Sequence, residues 1–272
     1  MDQTQLATFQ AVVDTGSFEA AARQLHVTPS AVSQRIKALE RSVGQVLVRR
    51  ARPCVATPAG TALVRFAGQV ALLEREALDQ ARDGTRVTIV VNADSLHTWF
   101  LPALAAVPGP HYEVHTDDQD HTADLLRAGT AMAAVTAGHT AVQGCRLERL
   151  GAMRYLAVGR PGLGADGPMV VYNRKDQLQH RFLASVGAAA DDPAMHYVPA
   201  AAAFVEAIRL GLGWGMVPEQ IARPGIAAGD YVELFPGRWL DVPLCWQHWR
   251  IESTVLVELT AAVQAAARTA LR

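Results

Sequence analysis

Residues Ser17 to Arg41, SFEAAARQLHVTPSAVSQRIKALER, constrain this chain more than any other stretch. Phe18, Ala21, Ala22 and Leu25 recur at helical spacing and form one apolar stripe behind Ser17, whose hydroxyl suits an N-cap. Thr28 and Pro29 then open a second helix, since proline at the first helical position lacks only an N–H that would have no partner there. Val32, Ile36 and Leu39 give that helix a buried face, and Gly44 marks its end. Small Ala21 and Ala22 let the two helices cross closely. Ser30, Ser33, Gln34 and Lys37 fall on the outer face of the second helix. Two short helices on a tight turn, with hydroxyls and an amide outermost on the second, form a helix-turn-helix able to enter a major groove. An ordinary helical hairpin with a polar outer face is the alternative.

The flanks favour the groove reader. Val46 to Val48 lead into Arg49, Arg50, Ala51, Arg52 and Pro53, a small β-wing with three arginines suited to backbone phosphates. On this reading Pro29, Ser30, Ser33 and Gln34 meet base edges, and Thr28, Arg35, Lys37, Arg49, Arg50 and Arg52 meet phosphates of double-stranded DNA. Charge is distributed accordingly. Seven basic and four acidic side chains leave residues 1–60 at +3, against −4 for the rest of the 272-residue chain. Half of the residues are hydrophobic, enough for a sizeable core. Cys54, Cys145 and Cys245 are odd in number and lack CxxC spacing, so neither a disulfide framework nor a metal site is expected. With no signal peptide and no apolar run of spanning length, a cytoplasmic protein without a membrane partner is expected.

A long linker helix is expected over 58–83. Leu63, Ala67, Val70, Leu73 or Glu74, Ala77 and Ala81 follow a loose three-four spacing that favours pairing with a second copy; packing on its own body is the alternative. Beyond Asp83-Gly84-Thr85 the pattern turns α/β. Val87–Val91 is a β-branched run typical of a strand buried on both faces. A helix follows over Ser95–Ala106, with strands at Tyr112–Thr116, Met132–Thr136, Arg146–Leu150 and Tyr155–Val158 and a helix at Ala123–Arg127. After a hinge at Arg160-Pro161-Gly162 come strands at Met169–Tyr172, His196–Val198, Gly215–Val217 and Tyr231–Leu234, with helices at Lys175–Val186 and Ala202–Leu210. Leu244–His248 and a helix over Ser253–Leu271 return to the first lobe. The expected domains are a winged helix-turn-helix (1–60), the linker helix (58–83) and a two-lobed ligand domain (86–272). Its first lobe takes 86–159 and 236–272, its second 160–235.

Ligands of such lobes sit near the carboxyl ends of the strands. Asp94 and Ser95 end the first strand at a helix N-terminus, a seat for a carboxylate or else simple caps. Asp117, Asp118, Gln119 and Asp120 end the second strand, where carboxylates can receive an ammonium or guanidinium group; a solvated turn is the alternative. Thr136 ends the third strand, and Ala201 to Phe204 start a helix able to close over the ligand from the second lobe. GLGWG (211–215) lacks a lysine and follows a helix, so it reads as a tight turn; Trp246, His248 and Trp249 read as core. No nucleophile, acid–base pair, metal spacing or cofactor motif assembles, so no enzyme and no cofactor is expected.

The segments HVTPSAVSQRIKALE, RARPCVATPAG and VNADSLHTWFLPAL resemble LysR-type transcriptional regulators, and most closely their lysine/arginine-responsive (LysG/ArgP-type) branch. The resemblance runs nearly end to end. It implies an α/β fold with an N-terminal all-α winged helix-turn-helix, a long linker helix that dimerises the heads, and a two-lobed effector domain like periplasmic binding proteins. It further implies a homodimer or homotetramer that senses lysine or arginine, acts on promoter DNA near RNA polymerase, and controls amino-acid export or metabolism. Many family members carry glutamine at the start of the reading helix, where this chain has Pro29, so a glutamine contact does not carry over. An architectural or replication-origin DNA binder that needs no small molecule is the rival reading. A two-lobed enzyme with a fused DNA-binding head is a third.

Overall fold

The computed structural model describes residues 1–79, 85–117, 123–188 and 194–272. The chain opens with α1 (Gln3–Thr15), α2 (Phe18–Gln24) and α3 (Pro29–Val43), each started by a side-chain cap. Asp2 and Gln5 make a reciprocal capping box, Ser17 accepts from the Ala20 N–H, and Thr28 accepts from the Ala31 N–H. Gly16 and Gly44 close α1 and α3 at φ 63° and 75°, where a side chain is disfavoured. The sequence reading had no counterpart for α1, which supplies Phe9 and Val12 to a head core shared with Ala21, Ala22, Val32, Ile36, Leu39 and Leu47. The wing follows as β1 (Val48–Arg49) antiparallel to β2 (Val55–Ala56). Glu40 on α3 accepts from the backbone N–H groups of Leu47 and Val48 at 2.9 and 3.3 Å, which fixes the wing against the helix.

Helix α4 (Pro58–Asp79) belongs to two cores at once. Val64 joins the head core and Leu72 the body core. Gly68 passes so close to Trp249 that a Cβ would sit 2.8 Å from its ring. Arg65 donates to the carbonyls of Gln143 and Arg127, and the Glu76 carboxylate accepts from the Ser253 hydroxyl. One face of α4 therefore packs on its own body. Of the expected pairing seam, Ala67 is buried on this side, while Leu73 stays exposed and Val70 half-buried; Phe66, which the seam did not include, is exposed beside them. Ala81 and the Asp83-Gly84 break lie outside the described residues.

In the first lobe β3 (Arg86–Asn92) runs parallel to β4 (His111–Asp117) and to β5 (Ala133–Thr136). Between β3 and β4 lie α5 (Ala93–Ser95), a π-helical turn (Leu96–Phe100) and α6 (Leu101–Ala105), one continuous helical run; α7 (Ala123–Ala128) precedes β5. The two strands expected at 146–150 and 155–158 are one, the fifteen-residue β6 (Cys145–Gly159). The connecting residues Gly151 to Arg154 do not alternate in polarity, but they pair with Leu244 to Asp241. β6 thus leaves the first lobe and enters the second, which adds β7 (Met169–Val171), α8 (Leu178–Val186), β8 (Met195–Tyr197), α9 (Ala201–Leu210), β9 (Gly215–Pro218), α10 (Glu219–Ala228) and β10 (Val232–Glu233). Lys175 to Gln177, expected to begin α8, form the turn before it. No element was expected between Val217 and Tyr231, where α10 forms with Pro224 inside it. Gly225 is the seat of the Tyr231 ring, which a Cβ would meet at 2.3 Å.

β11 (Leu240–Trp249) returns antiparallel along β6, with a register shift between Leu244 and Cys245, and α11 (Thr254–Ala270) closes on the first lobe behind its Ser253 cap. The sheet order is β10-β6-β11-β5-β3-β4, with β9 also on β6. Two strands thus cross between the lobes, and the largest apolar cluster runs through both. Gly213 lets the 211–215 turn pass the Pro168 carbonyl, which a Cβ would meet at 2.3 Å. Trp246 and Trp249 are buried in the main core. No described helix is long and apolar enough to cross a membrane.

Candidate nucleic-acid interface and ligand cleft

Helix α3 turns Pro29, Ser30, Gln34 and Lys37 to solvent, with Ser33 half-buried among them. Thr28 is exposed too, but its hydroxyl is engaged by the Ala31 N–H and lies 2.9 Å from the Ser30 hydroxyl, so it holds the start of the helix. Arg35 leans back toward α1, with Nη1 3.4 Å from the Thr8 hydroxyl, and is half-buried. Arg49, Arg50 and Arg52 are exposed on the wing. The Arg50 guanidinium lies 4.7 Å from the centre of the Phe18 ring and 3.4 Å from Ser33 Oγ. It bridges wing and reading helix, a placement that the sequence did not announce. Beside it the Glu19 carboxyl is held below its ordinary value, mostly by a backbone N–H and the Ser17 hydroxyl, with Arg52 and Arg23 adding to the effect. Hydroxyls and an amide thus lie on one convex face flanked by guanidinium groups, the chemistry of base edges between phosphates.

The second site lies where β3, β4 and β5 end. Asn92 is the N-cap of the helical run 93–105, yet its side chain makes no capping bond. Ser95 is fully buried. Asn92 Oδ1, Ser95 Oγ and Trp99 Nε1 are buried and have no hydrogen-bond partner among the described residues. Half-buried Asp94 accepts from the Tyr155 hydroxyl at 2.8 Å, which ties the helix start to β6 where it leaves the lobe. Simple capping therefore does not account for Asp94 or Ser95. The run 93–105 also contains the π-turn Leu96–Phe100, an irregularity frequent at functional sites.

Thr136 is level with Asn92 in the sheet and buried, and its hydroxyl accepts from Gln247 Nε2 at 3.0 Å. Asp117 pairs with Asn92 at the end of β4. Asp118, Gln119 and Asp120 lie outside the described residues. In the second lobe Ala201 opens α9 behind Ala200, which has no side-chain acceptor, so the first N–H groups lack a side-chain cap. Phe204 does not serve as expected. It is 7% exposed in the core of the second lobe, with its ring against Gly215, because that position of α9 faces the sheet.

Sequence reasoning missed Tyr155, Gln179, Trp214 and Gln247. Gln179 is fully buried, bonded to the Val170 carbonyl through Nε2, with Oε1 partnerless among the described residues; Trp214 Nε1 is in the same state. Nothing local marks these residues, since no spacing or motif in their own segments sets them apart from core positions. Buried amides and hydroxyls left unbonded are costly, and three of them, on Asn92, Ser95 and Trp99, lie together at the end of β3. Among the described residues no group of three His, Cys, Asp or Glu side chains could hold a metal ion.

Residues 3–61 match the model of bacterial regulatory helix-turn-helix proteins of the lysR family, and residues 80–268 match the LysR substrate binding domain. The lysine export transcriptional regulatory protein LysG of Corynebacterium efficiens is 46% identical over 292 residues, covering 100% of both chains. The crystal structure of ArgP from Mycobacterium tuberculosis superposes with a TM-score of 0.90 at 46% identity, covering 100% of this chain and 99% of that one. Full-length LysG from Corynebacterium glutamicum with bound effector Arg superposes with a TM-score of 0.83 at 41% identity, covering 100% of both. With a groove-reading head, a two-lobed effector domain and relatives matched along their whole length, the chain belongs to the LysR family of bacterial transcriptional regulators.

Proposed function

We propose that this regulator senses a basic amino acid, arginine or lysine, between its lobes and so controls genes for export or metabolism of that amino acid. The observation that carries the reading is the set of buried, partnerless polar atoms at the end of β3, Asn92 Oδ1, Ser95 Oγ and Trp99 Nε1, beside the Asp94 carboxylate. The similar LysG structure with bound effector Arg supports the ligand class. An α-carboxylate takes the Ser95 hydroxyl and the N–H groups at Ala201. A cationic end takes the Asp94 carboxylate, and the acidic residues that follow β4 in the sequence are its further candidates. Thr136 completes the polar wall.

The amino acid acts by differential affinity for two lobe arrangements, which re-spaces the heads on promoter DNA. Pairing of two copies through the Phe66/Val70/Leu73 stripe supplies the second head, as homodimer or tetramer, and RNA polymerase is the partner at the promoter. Pro29, Ser30, Ser33 and Gln34 read bases; Lys37 and the wing arginines hold phosphates. The test is a thermal-shift and footprinting panel with arginine, lysine, citrulline and norleucine. Arginine or lysine should raise the melting temperature and change the footprint, and the neutral pair should not. A protein indifferent to all four would refute the sensing role and leave the ligand-independent DNA binder.

A further inference from the structure

Residues 137–144 run from the cleft end of β5 to the opposite end of the first-lobe sheet. Thr136 is level with Cys245 on β11, whereas Cys145, where β6 begins, is level with Trp249. One buried side chain holds this span. Gln247 is 1% exposed, and both ends of its amide are engaged. Oε1 accepts from the Val142 N–H at 2.8 Å, and Nε2 donates to the Thr136 hydroxyl at 3.0 Å and to the Thr140 carbonyl at 3.3 Å. The next residue, Gln143, gives its carbonyl to the Arg65 guanidinium of α4, which also reaches the Arg127 carbonyl at 3.3 Å. A continuous polar path therefore joins a cleft hydroxyl to the helix that carries the DNA-reading head. An apolar residue at 247 would fill the core without this polar path, and a buried amide is retained at lower cost only when every polar atom is bonded.

We propose that Gln247 and Arg65 are positioning residues that relay occupancy of the cleft to the linker helix. The relay rests on the reading of the cleft as an amino-acid site. Because the Thr136 oxygen already accepts from Gln247, its own proton is the part left for a ligand acceptor. A ligand that draws that hydroxyl toward itself shifts Gln247, the 140–143 backbone and the seat of Arg65 together.

The experiment is hydrogen exchange on the full chain with and without arginine, for the unsubstituted protein, Arg65→Ala, Arg65→Lys and Gln247→Leu, with arginine affinity measured by calorimetry. In the unsubstituted protein arginine should slow exchange at least threefold both in the cleft segment 92–100 and in α4 around residues 62–72. Arg65→Ala should bind arginine within threefold of the parent and keep the cleft response, yet lose the response in α4; Gln247→Leu, which also frees the Thr136 hydroxyl, should lose the α4 response whatever its affinity. Arg65→Lys, which keeps a donor for the Gln143 carbonyl, should retain that response. A purely structural role would speed exchange of α4 equally with and without arginine and leave the ratio unchanged, and that outcome overturns the relay. So does an α4 response that survives Arg65→Ala, a variant at a half-exposed position that decides the matter even if Gln247→Leu does not fold. If arginine and lysine give no binding heat with the unsubstituted protein, it is the assignment of the ligand that fails, and the relay falls with it.

Discussion

A buried hydroxyl without a partner costs about 1–3 kcal/mol relative to one that is bonded. Ser95 is fully buried with its Oγ in that state among the described residues, and on the proposed reading the bound amino acid satisfies it. Ser95→Ala should therefore act with opposite signs on two measurements. The ligand-free protein should melt at the same temperature or slightly higher, by up to about 1 kcal/mol of stability, since an alanine methyl needs no partner. Arginine affinity should fall about tenfold, the worth of one hydrogen bond to a charged group. A variant both less stable and unchanged in affinity would show Ser95 to be a packing residue. Asp94 and Ser95 were legible in the sequence because a β-branched strand running into Asn-Ala-Asp-Ser marks a strand end at a helix start. Gln247 and Thr136 were not legible as a pair. They meet across 111 residues, and no local pattern joins a glutamine in a Trp-rich strand to a distant threonine. Phe204 misled for the converse reason: proximity to a helix start does not say which way one position of that helix points.

Among the elements, two strands cross between the lobes, and the continuity of β6 was hidden because it changes its surroundings midway. Around the crossing, Arg154 on β6 makes a two-bonded contact to Asp241 on β11, each bond 2.9 Å, and stacks 4.2 Å from the Trp239 ring centre. The Arg154 N–H groups hold the Asp241 carboxyl below its ordinary value of 3.8. A carboxylate with a depressed value stabilises the fold fully above the ordinary value and loses that contribution as the pH falls through the lower, folded one. Because the pair is partly open to solvent, its worth at neutral pH is about 0.5 kcal/mol. Asp241→Asn should lower stability by that amount in urea titrations at pH 7, and the gap to the parent should close as the pH drops below 3.8. A gap that stays constant down to acid pH would assign the effect to packing. Helix α4 was legible as a long amphipathic element, but its period fits two faces equally well, and only the tertiary structure shows which one Ala67 and Leu72 occupy. The remaining stripe makes its own prediction. Leu73, 42% exposed, can take a charge without disturbing the chain's own cores, so Leu73→Glu should shift sedimentation toward monomer and weaken operator binding while the melting temperature of the monomer holds.

At the scale of the molecule, the head and the body are joined by sharing a helix, since Val64 is buried in one core and Leu72 in the other. The distance between them on α4 is rigid for as long as the helix stays seated, and one close point of that seat is Gly68 against Trp249. A ligand that stabilises the body by mass action then also stabilises the head, because the head cannot unfold without fraying the α4 turns that the body holds. Gly68→Val places branched carbons where even a Cβ would stand 2.8 Å from the indole, so α4 must lift off Trp249 at a cost of about 1–3 kcal/mol. In scanning calorimetry the unsubstituted protein should show one transition that arginine moves upward as a whole. The variant should show two, the head melting first at a temperature that arginine does not change and the body still responding. The order follows from size, as the head core is built from a handful of side chains on α1 to α4 whereas the body core runs through both lobes. A single arginine-responsive transition in Gly68→Val would mean that the two cores communicate by some route other than the seat of α4 on Trp249.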